Sequence, residues 1–358
     1  MISKPQLFRV HKWCGLVACT LLAIQAVTGI LEAYGDDIEQ LADPLGMLRH
    51  TPGNNVPLAD VVQVLRRTYP TQAAERIVFP KYPDGTYFVH LVNAAGDKTY
   101  VSIDPGDAQV LRSGHIWTFP AEAAARIHYD YISGTPGMAI VAIAGFLGLS
   151  MAVTGISFWW PRPGRRAQQL RINWRGPGKF ILRQLHRSTG VLMALFLGFS
   201  LVTGLTLAIY YFEVSAGAPP GTNVPAPLPD GWDIDSAIRR ASGQYPGHDI
   251  RDIRFVGTDR VDVYFNAPER NPRAAHQVSF DVQSGAITGT LDAQANTALW
   301  VTWLPLHSGE SFGVSGKALV TANALVLLGL AFSGPIMWFN RVRLRRRKNR
   351  HRGKTAPP

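Results

Sequence analysis

The chain has 358 residues, a formal net charge of +11 and 46% hydrophobic residues, yet its mean hydropathy is close to zero. That average hides a segregation into long charge-free runs and polar segments, which excludes both a purely soluble globular chain and a disordered one. The two cysteines, Cys14 and Cys19, are five apart inside one apolar run, so they are expected as small packing residues and a disulfide framework is excluded.

The first element, residues 1–34, reads as a membrane-spanning helix with an apolar run over Trp13–Leu31. Its basic start resembles a signal peptide, but the run is long and no clear small-x-small site follows, so an uncleaved anchor is expected. Residues 35–127 read as a first outer module: "PLADVVQVLRRTYP" has helical spacing, and "ERIVFP", "TYFVHLV", "KTYVSID" and "AQVLRS" read as strands separated by turns. The second span is expected over 128–161, followed by a basic loop at 162–186 and a third span over 187–212. Residues 213–306 form a second module of the same kind, entered through the Pro-rich extended linker Ala218–Gly231. The fourth span is expected over 307–340, and a basic tail fills 341–358.

Each run is long enough to cross a hydrocarbon core of about 30 Å. Lysine and arginine crowd the start, the middle loop and the tail, and such residues mark the cytoplasmic side. Both termini are therefore expected inside and both modules outside, in a bacterial inner membrane. The basic tail reads as a topology and lipid-headgroup feature, with no nucleic-acid partner.

The chain repeats itself. With His11 set on His186, Gly15 meets Gly190 and "VTG" at Val27–Gly29 meets "VTG" at Val202–Gly204. With His128 set on His307, Gly134 meets Gly313, Gly137 meets Gly316, and Thr154-Gly155 meets Ser333-Gly334. The predicted fold is an integral membrane α-helical protein, four transmembrane helices in two parallel repeats, with two periplasmic α+β modules. Parallel repeats share an axis along the membrane normal. Equivalent residues then lie at one depth: His11 with His186 near the inner surface, His128 with His307 near the outer one.

Ionisable residues at the edge of a span tend to be functional. Neutral imidazole binds metal, and two imidazoles at one depth supply both axial ligands of a haem iron. Glycine one turn beyond His11 and His186 would clear bulk for the porphyrin. Zinc fits less well, because each level offers only two histidines. His50, His90, His115, His248 and His276 have no matched partners and read as surface or sheet residues; His115 alone invites attention, thirteen residues before His128. No residue cluster in the modules marks a substrate pocket.

"LHRSTGVLMALFLGFSLVTG", "RIHYDYISGTPGMAIVAIAGFLGLSMAVTGISFWWPR" and "LPLHSGESFGVSGKALVTANALVLLGLAFSG" resemble the PepSY-associated transmembrane-helix family, and the modules resemble its PepSY-type inserts. The resemblance implies an inner-membrane reductase of ferric siderophores carrying two haems b, the four matched histidines being the ligands. It also implies an electron source on the cytoplasmic side. No dinucleotide-binding glycine fingerprint lies between a strand and a helix, so the expected donor is a separate protein or a membrane quinol. A haem carrier serving another acceptor, a siderophore permease and a PepSY binding protein are the alternatives.

Overall fold

A computed structural model describes residues 3–160, 164–217, 229 and 232–354. The Pro-rich linker lies almost wholly outside the described residues. The chain divides into two units, one of residues 1–33, 126–212 and 307–358, the other of residues 34–125 and 213–306.

The first unit holds four helices long and apolar enough to cross a membrane: Lys4–Ala33, Thr135–Trp159, Ala194–Ala216 and Glu310–Leu344. Three of the four expected spans start differently. His128 stands on a separate helix, Pro120–Asp130, and not on the second span. Gly134 separates the two at φ 63°, ψ −140°, a conformation that only glycine adopts without strain. His307 closes a single turn, Leu304–His307, and Gly313 then opens the last helix at φ 58°, ψ −142°. The matched glycines thus share one backbone conformation. The third span is also shorter than expected: Met193 interrupts the helical run, and His186 sits on the preceding helix Gly178–Leu192.

Gly137 and Gly316 have a matching task. A Cβ on Gly137 would run into the carbonyl of Asp130, and one on Gly316 into that of Gly309. Each span therefore starts against the backbone of the turn behind it, which fixes where the preceding histidine points. Midway along the bundle Ala18, Leu22 and Ala144 are buried, packed by Leu147, Met151, Leu201 and Leu327. Small residues on facing helices let backbones approach closely inside a membrane.

The second unit is one antiparallel sheet of eight strands: β1 (Gln72–Val78), β2 (Tyr87–Asn93), β3 (Lys98–Ile103), β4 (Val110–Gly114), β5 (Ile250–Val256), β6 (Arg260–Asn266), β7 (Ala275–Asp281) and β8 (Ile287–Leu291). Their order is β4-β3-β2-β1-β5-β6-β7-β8. Two separate small sheets were expected; instead β1 and β5 pair, with Ile77 opposite Ile253. An isolated four-stranded sheet would leave these edges with unpaired backbone groups, and joining them removes the exposed edge. Helices Leu58–Thr68 and Ile234–Gln244 lay Leu58, Val61, Leu65, Ile234, Ala237 and Ala241 into one core with Val89, Val263 and Phe280. Asp235 accepts from the backbone N–H groups of Leu58 and Ala59 at 2.8 and 3.2 Å, so one helix caps the start of the other.

Candidate functional site

The four matched histidines meet in pairs within the first unit. The ring centres of His11 and His186 are 6.4 Å apart, and those of His128 and His307 are 6.1 Å apart. Metal–nitrogen bonds of about 2 Å place two imidazoles on opposite sides of one metal with their centres roughly 6 Å apart. The two spacings match that arrangement without movement of the helices.

Each ring is oriented from behind. His11 Nδ1 lies 3.3 Å from Thr154 Oγ1 and 3.1 Å from the Met151 carbonyl. His128 Nδ1 lies 3.2 Å from Thr28 Oγ1, His186 Nδ1 2.7 Å from Ser333 Oγ, and His307 Nδ1 3.0 Å from Thr203 Oγ1. These hydroxyls belong to the four Thr/Ser-Gly steps that the repeat aligned. Every one already donates its proton to a carbonyl of its own helix: Thr28 to Ile24, Thr154 to Ser150, Thr203 to Phe199 and Ser333 to Leu330. A hydroxyl whose proton is spent can only accept. The ring proton must then sit on Nδ1, and Nε2 keeps the lone pair that a metal takes.

The glycine beside each hydroxyl receives the ring. A Cβ on Gly29 would fall 2.9 Å from His128 Cε1, on Gly155 3.2 Å from His11 Cε1, and on Gly204 2.8 Å from His307 Cε1. At Gly334 the same distance to His186 is an ordinary 3.9 Å. The helices therefore trade within each half: His11 docks on the second span and His128 on the first, His186 on the fourth and His307 on the third. Sequence reading found the Thr/Ser-Gly steps by alignment but missed their task, which needs the partner helix in view. The glycines one turn beyond His11 and His186 were expected to clear space beside those rings. Gly15 and Gly190 face Met151 Sδ and the Leu330 side chain, because they lie on helix–helix contacts.

Other polar groups frame the outer pair. Tyr129 donates to Glu32 at 2.5 Å, and buried Asn323 donates to Ser200 Oγ at 2.8 Å. His115 is exposed at the start of a single 3-10 turn, and His90 stacks edge-on with Tyr100 within the sheet. Neither joins the paired histidines.

Thr203→Val keeps the shape and removes the acceptor behind His307. It is expected to weaken metal or cofactor retention at that pair by about 10–100-fold, read as the amount held per chain after extended washing in detergent. Thr203→Ser restores it. Equal retention in both variants would mean that the hydroxyl does not orient the ring.

No curated protein matched the chain in a whole-sequence comparison. The model of the PepSY-associated TM region matches residues 8–341, which takes in the second and third spans whole, all but a few end residues of the first and fourth, both halves of the sheet and all four paired histidines. The chain is a member of the PepSY-associated transmembrane family.

Proposed function

We propose that the protein is a two-haem reductase of the bacterial inner membrane that passes electrons to a ferric siderophore on the periplasmic side, releasing Fe(II). The supporting observation is the two imidazole couples, with ring centres 6.4 and 6.1 Å apart and each Nδ1 within hydrogen-bond reach of a hydroxyl, which leaves Nε2 free for a metal. Haem b at each couple supplies one-electron transfer at a potential tuned by its ligands and burial. His11 and His186 hold the inner haem, and His128 and His307 hold the outer one. The hydroxyls behind the rings keep the protons on Nδ1, the glycines beside them make room for the rings, and the apolar helices exclude water. Both termini are cytoplasmic and the sheet unit is periplasmic, in keeping with the placement of lysine and arginine in the short loops.

The sheet unit carries a cationic cluster suited to an anionic chelate. Fully buried Asp252 meets Arg76 at 2.9 Å, Arg254 at 2.6 Å and Arg251 at 3.6 Å. Buried Asp262 on β6, opposite Arg254, adds a second carboxylate, and the guanidiniums of Arg76, Arg251, Arg254, Arg260 and Arg273 still outnumber the two. Burial, with Arg273, Arg76 and Arg254 close by, pulls Arg251 down to about 10 despite the opposing pull of Asp252. Arg76 Nε is buried with no acceptor among the described residues, and Trp300 lies under both Arg251 and Arg254. Hard-oxygen chelates hold Fe(III) far better than Fe(II), so reduction frees the metal.

The test is spectroscopic. Detergent-purified, haem-supplied protein is expected to show a b-type reduced-minus-oxidised spectrum with about two haems per chain. The reduced protein should then be reoxidised by a ferric siderophore without oxygen. A colourless, folded protein would favour a binding role. A haem protein left reduced by every ferric chelate would favour a carrier serving another periplasmic acceptor.

A further inference from the structure

The sheet unit brings together three residues whose side chains ligate metals. His248 lies on the loop between helix Ile234–Gln244 and β5, Glu269 on the hairpin between β6 and β7, and His276 on β7. One ligand atom from each lies within 4.8 Å of the other two, and among the described residues no other trio of His, Cys, Asp or Glu comes so close. In sequence the two histidines were read as unmatched surface or sheet residues.

Their surroundings suit ligation. His248 Nδ1 donates to the Asn266 carbonyl at 2.8 Å, which leaves Nε2 with its lone pair. The ring centres of the two histidines are 4.8 Å apart, edge to face. Tyr245 stacks on His276 with centres 4.1 Å apart, and its hydroxyl donates to Asp292 at 3.0 Å. His276 Nδ1 accepts the Ala293 N–H at 3.1 Å and lies 3.7 Å from Asp292 Oδ1. In the free chain the His276 proton is therefore on Nε2. A cation at Nε2 would move that proton to Nδ1 and break the Ala293 contact, with Asp292 Oδ1 3.7 Å away as the nearest carboxylate for it to turn to. Glu269 is exposed on its hairpin and can close the remaining gap.

We propose that His248, Glu269 and His276 bind a divalent first-row transition-metal cation. Two imidazoles and one carboxylate suit Fe(II), Zn(II), Co(II) or Ni(II), whereas Ca²⁺ and Mg²⁺ prefer all-oxygen sites. The open positions are left to water. The occupant we assign is Fe(II) freed from the chelate, a step that rests on the function proposed above.

The experiment uses the full chain in detergent, equilibrated with Zn(II), or anaerobically with isotopically labelled Fe(II) to separate it from haem iron. Metal is counted after desalting. About one zinc per chain above the untreated protein is expected, lost in His248→Ala/His276→Ala. Asp292→Asn should keep the stoichiometry and weaken binding by about 10-fold or more. No uptake by wild type, or equal uptake by the double variant, would overturn the proposal. Should the double variant melt early, Glu269→Gln on the exposed hairpin gives the same comparison, and undiminished zinc affinity there would count against the site. Zinc uptake without labelled-iron uptake would leave the cation site standing and remove Fe(II) as its occupant. A failed chelate-reduction assay with normal zinc uptake would overturn the reductase and spare the site.

Discussion

Replacing His186 with alanine is expected to halve the haem bound per chain and to leave the outer haem intact. The pairing makes this the largest single effect at the inner level. His186 faces His11 at 6.4 Å between ring centres, and no other described histidine comes within ring contact of either. The outer couple is held by other residues, His128 on Thr28 and His307 on Thr203. His307→Ala should give the mirror result, and the two variants should lose spectrally distinct bands if the two environments differ. Haem quantified per chain, with the low-temperature spectrum of each variant, decides the matter. Loss of both haems from either variant, with the helices still folded, would contradict independent levels, and loss of neither would remove these histidines from the site.

Gly204→Val is expected to expel the outer haem and lower stability by about 2 kcal/mol, in the usual range for overpacking a tight contact. The first added carbon alone falls 2.8 Å from His307 Cε1, closer than real contacts allow, and valine's two methyls cannot turn away inside the helix. His307 must swing off Thr203, losing both its orienting bond and its place opposite His128. Gly29→Val should do the same through His128, where the distance is 2.9 Å. Gly334→Ala is the control, since 3.9 Å from His186 accommodates a methyl. Haem content and melting temperature measured together separate the cases. A Gly204→Val protein with full outer haem would show that the ring does not depend on this groove.

The repeat explains why so much was visible without coordinates. Charge-free runs of membrane length can be read residue by residue, because lipid tolerates few alternatives to a helix there. The four histidines stood out because their offsets to Thr/Ser-Gly recur in each half, 18 residues from His11 to Gly29 and again from His186 to Gly204. The local punctuation was harder. His128 sits on its own helix because Gly134 turns the chain, and a glycine near an apolar run reads equally well as part of the span.

By itself, then, the amino-acid order determined that there are four membrane-length helices, though not where three of them start, together with the helix-on-sheet character of the modules and which histidines meet, since hydropathy and repeated spacing are local properties. Only the tertiary structure decided what stands behind each ring. Thr28 and His128 are a hundred residues apart, and the proton placement that readies Nε2 depends on both. The sheet tells the same story. Arg76 and Asp252 meet because β1 pairs with β5, and His248, Glu269 and His276 converge because a loop, a hairpin and a strand end at one corner. Contacts of that range come from edge pairing and helix packing, which bury backbone groups and side chains that no short stretch of the chain can satisfy alone.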